Sequence, residues 1–269
     1  GYGWPKFGHD AELRSLHWHA KKRLEVRADG PDVALREVTH YSLTQEFSAA
    51  TWSIPKDFLT FEHFKRVIES TDWTSSPGYP YMLRSPNNGA LLGVREGIPD
   101  PNKVEWLWEL VQMQIRERLS DPVRLFVKAE PHKAKKLEQG RYRLISSVSI
   151  VDQLIDKMLF AEMNTRLVEQ WPCVPSKIGW TQLLGGWRII PKGWWALDKS
   201  SWDWTMQLWT CEMVLECRMR LCTNMSDQWR ELALWRYKEL FVNAHYITSG
   251  GLLLRQVNPG VMKSGCVNT

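Results

Sequence analysis

The stretch Arg124-Leu-Phe-Val-Lys-Ala-Glu-Pro-His-Lys-Ala-Lys-Lys-Leu-Glu-Gln-Gly-Arg-Tyr-Arg-Leu-Ile145 decides how this chain is read. From Arg124 to Arg143 it holds seven basic residues: Arg124, Lys128, Lys133, Lys135, Lys136, Arg141 and Arg143. Only Glu130 and Glu138 oppose them. The 269-residue chain has a net charge of +5, so the whole surplus sits in these twenty residues and the remainder is neutral. Cations gathered this way are the electrostatic footprint of a polyanion, either nucleic acid or nucleotide phosphate. A solvated basic face is the plainer alternative, and charge alone does not choose between them.

Working outward, the composition is that of a globular protein. Hydrophobic residues make up 43% and charged residues 24%, which excludes a disordered or low-complexity chain. The length fits one large domain or two small ones, with room for a core. No apolar run reaches the roughly 18 residues of a spanning helix. No basic–apolar–small leader opens the chain. The first residue is Gly, not Met, which suggests a piece of a longer product. Five cysteines, an odd number without any C-x-x-C pair, point to a reducing compartment rather than a disulfide framework. The spacing of Cys211, Cys217 and Cys222 does not suit zinc. His17 and His19 fall on different faces of a helix, which argues against a metal pair. The sixteen Trp offer apolar area and stacking faces, but the count settles nothing.

Periodicity supplies a coarse outline. Val104, Leu107, Val111, Ile115 and Leu119 form a helical stripe over Asn102 to Ser120. Leu154, Met158, Ala161 and Met163 do the same over Ile150 to Leu167. Ser226 with Asp227 reads as a helix start, followed by Trp229, Leu232, Arg236 and Leu240. Gly193 to Asp198 (GWWALD) reads as a short strand ending in a carboxylate. Ala244 to Thr248 and Leu252 to Gln256 flank Ser249-Gly250-Gly251 as a hairpin, and Asn258-Pro259-Gly260 breaks the chain. Residues 1–50 show no clear period. The expected class is mixed α/β (α+β), rich in helix.

Two stretches could carry chemistry. In Asp198-Lys-Ser-Ser-Trp-Asp203, a turn after Asp198 would bring both carboxylates to one cleft, and a hard ion such as Mg²⁺ prefers oxygen ligands. Met262-Lys-Ser-Gly-Cys-Val-Asn-Thr269 carries the pattern S-G-x-x-x-T. A nucleophilic role for Ser264 would need a G-x-S-x-G elbow, and residue 262 is Met.

Taken in order, these stretches resemble the motifs of positive-strand RNA virus RNA-dependent RNA polymerases. Thr74-Ser-Ser-Pro-Gly-Tyr-Pro-Tyr81 is similar to their motif G, and Val127 to Ile145 to motif F. Asp198 to Asp203 is similar to motif A, and Ser264 to Thr269 to the start of motif B. The flavour is sobemovirus-like, notably in P-G-x-M-K-S-G, and the motifs span residues 74–269.

The resemblance implies a right-hand fold with fingers and part of the palm. The expected divisions are fingers over 1–190, with motif G at 74–81 and motif F at 124–145. The first palm segment then covers 191–222, a fingers insertion 223–257, and the second palm segment 258–269. The implied reaction is attack of an RNA 3′-OH on the α-phosphate of an NTP, assisted by two divalent ions, Mg²⁺ or Mn²⁺. Asp198 matches the catalytic metal ligand. Asp203, Ser264, Gly265 and Thr269 match positions that select the NTP ribose. Lys128, Lys136, Arg141 and Arg143 match the basic residues over the NTP phosphates, with Glu130 as a structural ion-pair partner among them. Ser75, Ser76 and Gly78 match the motif that tracks template RNA, while Tyr79 and Tyr81 read as packing residues.

The family's Gly-Asp-Asp occurs nowhere in the 269 residues. The resemblance therefore implies a fragment inactive on its own. A reverse transcriptase would lack both S-G-x-x-x-T and the long motif F. A non-catalytic RNA-binding remnant using 124–143 is the alternative from another class, although carboxylates at positions 198 and 203 would repel RNA. The implied partners are template and product RNA, NTPs and other viral replication proteins. The implied location is the host cytoplasm, at membrane-associated replication complexes.

Overall fold

The structure, a computed structural model, describes residues 1–26, 28–190, 193 and 195–267, the side chain of Leu184 excepted. In chain order the elements are β1 (Tyr2–Gly3), α1 (His9–Glu25), α2 (Val33–Glu46), α3 (Phe61–Glu69), α4 (Asn88–Leu92) and α5 (Pro101–Glu117). Then follow β2 (Val123–Val127), β3 (His132–Lys133), α6 (Ala134–Glu138), β4 (Leu144–Ser147) and α7 (Ile150–Glu169). The last group is α8 (Trp202–Thr205), α9 (Leu208–Arg220), α10 (Asp227–Phe241), β5 (His245–Ile247) and β6 (Leu253–Arg255).

The three striped helices form where the sequence places them, and their starts have chemical causes. Asp100 accepts from the Asn102 N–H ahead of Pro101, a residue whose missing donor suits the first turn. Ser149 accepts from the Asp152 N–H at the start of α7. Ser226 accepts from the Trp229 N–H at the start of α10. Helix α5 stops at Glu117 rather than Ser120, because Arg118 turns left-handed with φ 54°.

A four-stranded sheet runs in the order β4-β2-β5-β6. Strand β2 pairs antiparallel with β4, setting Leu125 opposite Ser146, and parallel with β5, setting Arg124 opposite Ile247. The expected hairpin is present as β5 and β6. Strand β1 adds a separate two-stranded ladder on β3.

The core gathers on α7, whose Leu154, Met158, Leu159, Phe160 and Met163 are buried. Each such side chain stabilises the fold by about 1.5–3 kcal/mol through area removed from water. Trp229 of α10 packs edge-on to Phe160, and its Nε1–H donates to Leu159 O at 3.0 Å. One charged cluster lies inside this core. Arg236 of α10 bonds Asp156 at 2.7 Å and Asp152 at 2.9 Å, with all three side chains buried.

The expected strand over Gly193 to Asp198 is not formed among its described residues. A strand needs a ladder partner, and none of its described residues pairs into either sheet. Trp195 and Leu197 instead stand 87% and 89% exposed. Residues 1–50, without visible period, hold two long helices. Among the described residues, no helix is long and apolar enough to cross a membrane.

Candidate active site

Between the β3–β4 segment and the turn entering α8 lies a cavity of about 630 Å³. One wall is basic, with Lys133, Lys136, Arg141 and Arg143. The facing wall runs from Asp198 to Trp204 and brings both carboxylates, Asp198 and Asp203, to the same space. The turn inferred after Asp198 is therefore present, with Ser201 left-handed at φ 54° just before α8.

Local chemistry fixes the basic wall. Arg143 donates its backbone N–H to His132 Nε2 at 2.9 Å, while His132 Nδ1 lies 2.7 Å from Glu130 O. A carbonyl can only accept, so His132 carries its proton on Nδ1. The guanidinium of Arg141 lies 4.7 Å over the Trp18 ring, a cation–π contact that holds a mobile charge in place. Glu130 bonds Lys128 at 2.8 Å and Arg143 at 3.4 Å. That is the expected structural ion pair, and these bonds hold its carboxyl below the usual range.

The acidic wall has two characters. Asp198 is exposed and open to water or a ligand. Asp203 is half-buried, and burial raises its carboxyl above the usual range while Arg143 pulls the other way. The Asp203 carbonyl accepts the Met262 N–H at 2.7 Å, which ties this wall to the C-terminal segment.

Not every expected residue reaches the cavity. Lys128 is held beside Glu130 and does not line it. Ser264 and Gly265 pack behind the basic wall on β4. Ser264 Oγ accepts the Ser146 N–H at 3.2 Å, and a Cβ on Gly265 would lie 2.4 Å from Ser146 O, so only glycine fits there. Next to them Lys263 is fully buried, bonded to Gln256 Oε1 at 2.6 Å, and burial lowers its ammonium to about 7. Thr269 lies outside the described residues.

Ser75, Ser76 and Gly78 form a separate turn away from the cavity. Ser75 donates to Asp72 at 2.6 Å, and Ser76 Oγ accepts the Gly78 N–H at 3.3 Å. Gly78 has φ 70°, and a Cβ there would lie 2.7 Å from Val148 O. Tyr81 packs edge-on to Trp106, as a packing residue should.

Sequence reasoning missed Tyr2, His19, Tyr142 and Trp204, which also line the cavity. The available signal was Ser15 with His19, four apart and so on one helix face.

Comparison with known proteins bears on the fold and the family pattern. Residues 100–191 match the family described as viral RNA-directed RNA-polymerase. Protein P2-P3 of Poinsettia latent virus is 32% identical, across 100% of this chain and 28% of its own length. Replicase polyprotein P2AB of Southern cowpea mosaic virus is 32% identical, across 98% of this chain and 30% of its own length. The chain thus spans less than a third of the curated relatives it matches. Among solved structures, the Sicinivirus 3Dpol RNA-dependent RNA polymerase superposes with a TM-score of 0.63. That match has 18% identity and covers 89% of this chain and 50% of the other, a likeness of fold.

Residues 100–191, from α5 through α7 and beyond, thus carry the pattern of the viral RNA-directed RNA-polymerase family, on a mixed α/β fold similar to that of a viral polymerase. Over nearly its whole length it is similar to about a third of the replicase polyproteins P2AB of Southern cowpea mosaic virus and Southern bean mosaic virus.

Proposed function

We propose that the cavity between the basic and acidic walls receives a nucleoside triphosphate in template-directed RNA synthesis by the parent polymerase. The observation that carries this is the meeting of Asp198 and Asp203 with Lys136, Arg141 and Arg143 around one space. A triphosphate needs cations along its phosphates and a carboxylate where a metal ion joins it. A purely RNA-binding surface has no use for two carboxylates facing its cations.

In the reaction, the RNA 3′-oxygen bonds to the α-phosphorus as the bond to the pyrophosphate oxygen breaks. The 3′-hydroxyl proton is released to solvent or base. Arg143 and Arg141 offer planar forks to the phosphates, and Lys136 a point charge. Asp203 faces the same space and meets the ribose hydroxyls, while Ser264 and Gly265 back the basic wall on β4.

Polymerases of this family use divalent metals. Among the described residues, no group of three His, Cys, Asp or Glu side chains gathers to hold an ion. Two carboxylates suit Mg²⁺ or Mn²⁺ all the same, because such an ion keeps waters and substrate phosphates in its shell. Asp198 would hold it, and the ion would supply charge neutralisation at the reacting phosphate.

The fingers take residues 1–190 and 223–257 and the palm takes 191–222 and 258–269, with Ser75, Ser76 and Gly78 along template RNA. Lys128, paired with Glu130, acts on the phosphates through the shape of the basic segment. Product RNA and other viral replication proteins are the partners, at membrane-associated complexes in the host cytoplasm.

The test is Asp198→Asn in the full-length polymerase. Primer extension should be lost while RNA binding persists. Extension at the wild-type rate would overturn the assignment.

A further inference from the structure

Helix α1 touches both walls of the cavity, and the face it buries is polar. Glu12, Ser15 and His19 all point inward. Glu12 pairs with Arg124 at 3.4 Å and accepts the Ser249 N–H at 2.8 Å, which anchors the helix to β2 and to the β5–β6 turn. One turn on, Ser15 Oγ–H donates to Tyr142 O at 2.7 Å, and His19 Nε2 lies 3.1 Å from the same oxygen. Tyr142 sits between Arg141 and Arg143. On its other side the His19 ring lies flat on Trp204, 4.8 Å between centroids and 12° between planes. Trp204 follows Asp203 directly.

The tautomer follows from these contacts. A carbonyl only accepts, so His19 carries its proton on Nε2. Nδ1 is then bare, buried and without a hydrogen-bond partner. Burial lowers the imidazole to about 4, with Arg141 and Lys136 adding to the effect. At neutral pH the ring is an uncharged spacer, with a donor on one edge and a stacking face on the other.

We propose that α1 is the strut that sets the distance between the two walls, with His19 as the positioning residue that holds Tyr142 of the basic wall against Trp204 of the acidic wall. His19 lines the cavity and serves it by holding its two walls. It acts on Arg141 and Arg143 through the Tyr142 backbone, and on Asp203 through Trp204. Asp203 is thereby braced from two sides, by the His19–Trp204 stack and by the Met262 N–H on its carbonyl. The inference rests on the cavity being the nucleotide site.

The test uses the full-length polymerase with wild type, D198N and three His19 variants. His19→Phe keeps the ring on Trp204 and loses the donor to Tyr142. His19→Gln keeps a donor and loses the stack. His19→Ala loses both. Wild type must extend primer and D198N must not, or the nucleotide-site reading fails before the strut is reached.

With that satisfied, His19→Ala should lower kcat/KM for NTPs by up to about a hundredfold, as small misplacements in a positioned site do, with RNA affinity unchanged. His19→Phe should raise KM for NTPs and keep the preference for NTP over dNTP. His19→Gln should lower that preference. Wild-type kinetics in all three variants would overturn the inference. So would losses that follow thermal stability alone, with no division between KM and sugar preference.

Discussion

His19 shows at the scale of one residue how a group lining a site can serve it by positioning the walls, and its ionisation leaves a measurable trace. Its folded pKa, about 4, lies below the ordinary 6.5. Between those values the unfolded chain binds a proton that the folded chain refuses. Stability should therefore fall as pH drops from 6.5 towards 4, and level off below that. The contribution is about 3 kcal/mol at full extent. Urea unfolding at a series of pH values, compared with His19→Phe, isolates it. The difference between the two proteins should change across that window, and a constant difference would deny that the buried ring is neutral. In the sequence His19 looked like half of an unconvincing metal pair with His17. Its partners, Tyr142 and Trp204, lie 123 and 185 positions away, and no local pattern announces contacts of that span.

At the scale of elements, legibility tracked the chemistry of the buried face. Helices α5, α7 and α10 bury apolar stripes and begin at side-chain caps, so period and punctuation announce them. Helix α1 buries Glu12, Ser15 and His19, and a polar inner face erases the hydrophobic period. The same property that hid α1 lets it bond the backbone of the basic segment. Among its described residues the GWWALD run forms no strand, for the opposite reason: its apolar pattern is right, but a strand exists only in a ladder. Arg236 gives this scale its prediction. It holds Asp152 and Asp156 across α7 and α10, and burial already raises Asp152 to about 7. Arg236→Met strands both carboxylates in the core and should cost about 3–5 kcal/mol. Acid relieves the loss, because protonation removes the stranded charge. Urea unfolding at mildly acidic and mildly alkaline pH should show the smaller deficit in acid, and equal deficits would contradict the ion-pair account.

For the whole molecule, the cluster of cations and the two carboxylates were legible as separate pieces, and the fold supplies their meeting. The basic segment folds back through β3, α6 and β4, and α1 ties it against the turn from Asp198 to Asp203. Motif order pointed to the polymerase class from residues alone. Which cations reach the cavity did not follow from it: Lys136, Arg141 and Arg143 line the space, whereas Lys128 is taken up by Glu130. The central claim is that this space holds a triphosphate, and Arg143 is its most exposed cation fork, at 62%. The most direct measurement is the apparent KM for NTP of Arg143→Ala in the full-length polymerase, taken beside its affinity for template RNA. The account predicts a KM raised by about tenfold or more, in keeping with loss of a charge-assisted contact of about 1.5–3 kcal/mol, at unchanged RNA affinity. Weakened RNA binding with an unchanged KM would contradict it and make the basic wall an RNA surface.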